Sequence, residues 1–167
     1  MSFLLKTCGI LLLVLTCLLI GNRSAAIERE REGLWEQMAR LSLRLSDRLL
    51  YTAQPIPPLL KELCRSETFP ALRFLPEVIA APPENWKNVW QKSVEVLPLK
   101  PECRQLLVGF VGPLGLTEVA GQTEHCRQYA KRFEEMRQAA SRDAAEKGRL
   151  YPVLGLLCGL ALALLLV

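Results

Sequence analysis

A chain of 167 residues has room for one compact domain, or for a small domain carrying anchoring segments. Half of it is hydrophobic, 23% is charged and the net charge is only +4, with no concentrated basic patch interleaved with aromatics, which argues against nucleic-acid binding. Of the six cysteines, Cys8, Cys17 and Cys158 fall in apolar runs and Cys64, Cys103 and Cys126 are irregularly spaced, which excludes a disulfide framework and makes the last three small buried hydrophobes.

The chain opens on an apolar run, residues 3–20. As a helix of about 18 residues it spans roughly 27 Å, just enough for a hydrocarbon core of roughly 30 Å. Two readings stay open. The run is a transmembrane helix whose Lys6 reaches the interface, or a signal peptide cut after Ala26 in Ser24-Ala25-Ala26. A lipobox at Cys17 is disfavoured because Thr16 precedes it, and the sequon Asn22-Arg23-Ser24 matters only in a eukaryotic lumen.

A helix is predicted over about 27–51, where Leu34, Met38, Leu41, Leu45 and Leu49 recur at steps of three and four and form one apolar stripe. Arg40, Arg44, Asp47 and Arg48 flank it. Residues 54–58, QPIPP, end the helix, because proline lacks a donor and restricts its predecessor. A short helix then carries Leu59, Leu60 and Leu63, and another is expected from Pro70 to about Ala80. Pro82 and Pro83 break the chain and start a helix on which Trp86, Val89, Trp90, Ser93 and Leu97 face one way. Pro101 suits the first turn of a helix over 101–111 with Leu106, Leu107 and Phe110 apolar.

The stretch VGPLGLTE turns the chain, with Thr117 as the expected N-cap and Glu118 favourable beside the helix dipole. From there Val119, Cys126, Tyr129, Phe133, Met136 and Ala140 keep a helical step. No breaker comes before Gly148 and Pro152, so one long helix should run into the closing apolar run, 150–167, with a kink near Pro152. That run has no charged side chain and is apolar on all faces, as a membrane span requires. Its Gly155-x-x-x-Gly159, extended by Ala163, is a small-residue ridge on which a second helix can pack in lipid; glycine is also simply common in spans.

Basic residues cluster at the inner ends of both runs: Arg23, Arg29 and Arg31 after the first, and Lys131, Arg132, Arg137, Arg142, Lys147 and Arg149 before the second. The positive-inside rule then places the middle region in the cytoplasm, whereas a signal peptide would place it outside. Anionic lipid is the partner that best explains this placement.

No catalytic or cofactor constellation emerges. The one histidine, His125, points about 100° away from Cys126 on a helix and makes no dyad. No zinc spacing and no phosphate loop occur, and GFVGPLG lacks the Lys-Ser/Thr that must follow. ERERE at 28–32 reads as a solvated face with ion pairs. Trp86 and Trp90 are core residues or partner anchors, and Arg44 and Arg48 are candidate charged contacts near the membrane-distal tip. The expected architecture is all-α: a helical bundle over 27–149 between an N-terminal transmembrane helix (3–20) and a C-terminal one (150–167), the last soluble helix continuous with the C-terminal span.

Several motifs in order add a resemblance: Leu49-Leu50-Tyr51, Pro55-Ile56, Trp90, Leu114-Gly115-Leu116 followed by Gln122, and Arg149-x-Tyr151 with Leu154-Gly155-x-x-x-Gly159, between two apolar runs. This layout resembles stage III sporulation protein AB of endospore-forming bacteria over nearly the whole chain. It departs from the family pattern at Arg48, Thr52 and Glu118, where a carboxylate, a glycine and an aspartate are usual. The resemblance implies a non-enzymatic subunit of a transport complex in the mother-cell membrane around the forespore. It implies a soluble domain similar to the cytoplasmic domains of type II secretion and type IV pilus platform proteins. It also implies coupling of a cytoplasmic ATPase, stage III sporulation protein AA, to membrane components and other stage III proteins, with self-association open. The second expectation, from the signal-peptide reading, is an exported helical binding or sensor domain held by one C-terminal anchor.

Overall fold

The computed structural model describes residues 2–52 and 54–166, with every side chain from 54 to 146 and from 26 to 52, and a minority of those in the two terminal apolar runs. The described residues form six helices and no strand: α1 (Ser2–Thr52), α2 (Ile56–Ser66), α3 (Leu75–Ala80), α4 (Trp86–Glu95), α5 (Pro101–Val111) and α6 (Val119–Leu166). Two compact units result, Leu34–Glu135 and the paired segments Met1–Gly33 and Met136–Val167. α1 and α6 contribute to both.

The larger unit is built on the α1 stripe. Leu34, Met38, Leu41, Leu45 and Leu49 are all buried, as their spacing predicts, together with Trp35, Ser42 and Ser46 beside them. Trp35 stacks on Phe133 of α6 with ring centroids 5.9 Å apart. Ser42 turns its hydroxyl back on the Met38 carbonyl at 2.9 Å, and Ser46 donates to the Thr123 carbonyl of α6 at 3.4 Å. Small hydroxyl residues at these two positions keep their polar atoms satisfied within the core.

The short helices start where proline permits. α2 and α5 each have proline in their first two positions, where the missing N–H is no loss. α2 buries Ile56, Leu59, Leu60 and Leu63. The helix expected from Pro70 is a correction: only Leu75–Ala80 is α-helical. A helix begun at Pro70 would put Pro76 in its interior, where the ring clashes with the preceding turn and one hydrogen bond is lost. Residues 69–74 form tight turns instead, with Leu72 N–H on the Phe69 carbonyl and Leu75 N–H on the Leu72 carbonyl. Gln37 of α1, itself buried, accepts the Ala71 N–H at 2.8 Å.

On α4 the buried face is Trp86, Trp90, Ser93 and Val94, while Val89 is half-buried and Leu97 lies beyond the helix end. Ser93 donates to Glu77 of α3 at 3.1 Å. Arg104 of α5 donates to the Leu99 and Glu95 carbonyls and so pins the α4–α5 connection.

In the smaller unit, Glu28 is buried on an exposed-looking charge run, and Arg31 holds it at 3.0 and 3.2 Å. Arg137 of α6 pairs with Glu32 of α1 at 3.6 Å. The backbone is helical through both apolar runs, but most of their side chains lie outside the described residues. Among the described residues, no helix is long and apolar enough to cross a membrane.

Candidate interaction surface

Chemistry-bearing side chains in the larger unit are absorbed by packing. Trp90 is fully buried, donates its indole N–H to the Leu107 carbonyl at 3.0 Å and meets Phe74 edge-on at 4.9 Å. Trp86 is buried as well, with Lys87 5.7 Å above its ring. Both tryptophans therefore belong to the core, and neither presents an indole to a partner in this conformation. The reason is periodicity: positions 86, 90, 93 and 94 share one helical face, and that face packs inward.

His125 lies flat against Phe110, and its Nε2 meets the Phe110 carbonyl at 2.9 Å. A carbonyl only accepts, so Nε2 carries the proton and donates. Tyr129 is 4.5 Å from the same imidazole, centroid to centroid, and adjoins Phe110 and Phe133. The histidine is a packing residue of an aromatic cluster. Of the three cysteines expected to be buried, only Cys126 is; Cys64 and Cys103 lie half-buried. Burial pushes the Cys126 thiol up to about 12, and partial burial pushes the Cys64 thiol up to about 11. Thiols kept protonated at neutral pH are poor nucleophiles. Among the described residues, no group of three or more His, Cys, Asp or Glu side chains is placed to hold a metal.

Two of the motif segments, distant in sequence, meet in the larger unit: the α5–α6 turn and the start of α2. Gly115 has φ of 78°, the left-handed region that a side chain would strain. A Cβ there would face Ile56 Cγ1 at 4.0 Å, so the α5–α6 turn sits on the start of α2. Gln122 closes this turn: its Oε1 accepts the Gly115 N–H at 3.0 Å, and its Nε2 donates to the Thr117 carbonyl. Thr117, expected as an N-cap, contributes its carbonyl to the turn, and α6 begins at Val119. The Gln122 amide thus takes over at the helix start. Its place seven residues after Gly115 is the one sequence signal that pointed to it.

Large apolar side chains face outward on the last turns of α1 and in the α5–α6 turn. Tyr51 is 87% exposed and Leu116 77%, with Leu50 about half-exposed on the last turn of α1. Leu43, two helical turns before Leu50, is exposed on the same side of α1. Periodicity does not flag these residues, because it locates the buried stripe and leaves the outer face unread.

Arg44 and Arg48 adjoin this apolar strip, and each reaches toward α2. Arg44 Nε pairs with Glu67 at 2.8 Å and Arg48 with Glu62 at 3.0 Å. Both arginines remain half-exposed, so the pairs are solvated and display charge while bracing α1 against α2. Gly155, Gly159 and Ala163 lie outside the residues whose side chains are described.

The described residues define an all-α protein, a helical bundle to which two long helices contribute, with its buried side-chain polar atoms satisfied and apolar, charge-flanked side chains turned outward. The family model described as stage III sporulation protein AB matches residues 6–167. The chain belongs to the stage III sporulation protein AB family, and its role is accordingly in stage III of sporulation. No curated protein and no solved structure matches it.

Proposed function

We propose that this protein is a non-enzymatic, membrane-embedded platform subunit of a stage III sporulation complex, coupling a cytoplasmic ATPase to membrane components between mother cell and forespore. The observation that carries this reading is the family match, which runs across both apolar stretches and the bundle between them. Residues 3–20 and 150–167 would be the two spans, with 27–149 forming the domain in the mother-cell cytoplasm.

Two features support the membrane assignment. Leu15, Leu19, Val153, Leu154, Leu156 and Leu157 are each more than half exposed. At about 100° per residue, positions 153, 154, 156 and 157 fan over roughly 160° of α6, a broad outward apolar face of the kind lipid contact favours and water disfavours. Basic residues flank both runs on the side of the bundle, which fits a cytoplasmic domain. For the partner surface, the outward apolar strip Leu43, Leu50, Tyr51 and Leu116, edged by Arg44 and Arg48, is the region we assign to the ATPase or its neighbours in the complex.

Topology is the deciding measurement. Produced in vegetative cells, whose membrane faces the medium, the chain with its own cysteines replaced and a single cysteine at the exposed position Lys92 on α4 should react with a membrane-impermeant maleimide only after lysis. Reaction in intact cells would instead support an exported binding or sensor domain on one C-terminal anchor, the outcome that Ser24-Ala25-Ala26 allows.

A further inference from the structure

We infer that the segment of α6 between Arg142 and Leu150 binds anionic phospholipid headgroups in preference to zwitterionic ones. The inference rests on the membrane-spanning reading above and assigns the anionic-lipid contact to one segment of α6 with a measurable headgroup preference. It begins from the order of charges. Moving out from the closing apolar run, the first charges on α6 are Arg149 and Lys147; moving out from the opening run, the first on α1 is Arg23. The nearest carboxylates, Glu146 and Glu28, come later on both helices. Glu28 is held by Arg31 and Glu32 by Arg137, while Asp143 and Glu146 fall within the segment itself and leave it with an excess of one basic side chain over residues 142–150.

Distance along the helix matches this order to a bilayer. At about 1.5 Å per residue, Arg149 and Lys147 stand roughly 1.5 and 4.5 Å above Leu150. The headgroup layer is roughly 5–7 Å deep on each side of the hydrocarbon core. Arg142, roughly 12 Å above Leu150, lies just beyond the layer, within a side chain's reach and about one Debye length of it at physiological salt.

The structure also supplies a place for a lipid. An open groove of about 490 Å³ is lined by Arg142, Ala145, Glu146 and Leu150, which share one face of α6. The groove is cationic at Arg142 and apolar at Leu150, the polarity of a phospholipid from headgroup to acyl chain. Glu146 lies between them and disfavours an anion at mid-groove, so the phosphate belongs at the Arg142 end or at the level of Lys147 and Arg149.

The test uses the full chain reconstituted in phosphatidylcholine vesicles with trace spin-labelled phosphatidylglycerol or phosphatidylcholine, reading the motionally restricted fraction of each. Phosphatidylglycerol should associate roughly fivefold more strongly, the effect of about one basic side chain at an anionic surface at low salt. The preference should vanish in about 1 M salt, where the Debye length falls to about 3 Å, and in the triple variant R142Q/K147Q/R149Q. Equal association of both lipids with the wild-type chain, in a protein that stays with the vesicles through alkaline carbonate, would overturn the headgroup assignment alone. A chain released by carbonate would overturn the membrane-spanning reading with it.

Discussion

At the scale of single residues, the tightest constraint in the bundle is Gly109. A Cβ at this position of α5 would stand 2.7 Å from the Tyr129 hydroxyl and 3.7 Å from the ring carbon that bears it. The ring has little room to retreat, because Phe110, His125 and Phe133 surround it. Gly109→Ala should therefore destabilise the bundle by about 1–3 kcal/mol, the usual cost of overpacking. In a Tyr129→Phe background the offending oxygen is gone, and the same change should be neutral or stabilising, since alanine exceeds glycine in helix propensity by about 1 kcal/mol. Denaturant midpoints of the four proteins check this, and a loss as large in the double variant as in the single would sink it.

The buried thiol of Cys126 and the half-buried thiol of Cys64 give a second residue-level expectation, for alkaline pH. Their ordinary value is 9.0, and burial raises Cys64 to about 11 and Cys126 to about 12. Between those values the unfolded chain releases protons that the folded chain keeps, so stability falls as pH rises. The contribution is intact below about pH 9 and is lost on the way to about 12 for Cys126. Thermal midpoints across this range should decline less steeply for Cys126→Ala than for the parent.

At the scale of helices, α1 and α2 are braced by Arg44–Glu67 and Arg48–Glu62. Exposed pairs of this kind contribute about 0–1 kcal/mol each. Replacing both arginines by alanine should thus shift stability by no more than about 2 kcal/mol while leaving the helical fold. If Arg44 and Arg48 border the partner surface, spore yield should drop although the bundle still unfolds cooperatively. Normal spore yield would remove both arginines from that surface.

The same helices show how far periodicity reads. The stripe on α1, the α5 boundaries and the unbroken course of α6 follow from spacing and from where proline falls. Pro76 marks in sequence that no helix can run from Pro70, but the turns that replace it depend on Gln37 of a distant helix capturing the Ala71 N–H. Likewise Ser42 and Ser46 look like surface polar residues until Ser42 turns back on the Met38 carbonyl and the Thr123 carbonyl of α6 meets Ser46. Of the candidate partner residues, the tryptophans were ambiguous in sequence and packing resolves them inward. The outward Tyr51 and Leu116 carry no periodic signal, and only the folded structure shows them exposed.

At the scale of the whole molecule, the family assignment and the two apolar runs lead to one more expectation. Gly155 and Gly159, with Ala163, form a small-residue ridge if α6 crosses a membrane, and such ridges let helix backbones approach closely. Gly155→Ile with Gly159→Ile should reduce crosslinking of the closing helix to its neighbour in membranes, whether that neighbour is the opening helix or a second subunit. Unchanged crosslinking would show that the ridge is not a packing face.

The chain has three tryptophans, Trp35, Trp86 and Trp90, and all of them lie buried in the unit spanning 34–135. Native emission is therefore an optical label for the bundle alone, silent toward events in the terminal apolar segments. Its maximum should be blue-shifted and shielded from iodide, and should move to the red only when the bundle opens. Fluorescence then follows folding in vesicles of any lipid composition without an added dye, separating a change in the domain from a change in its surroundings.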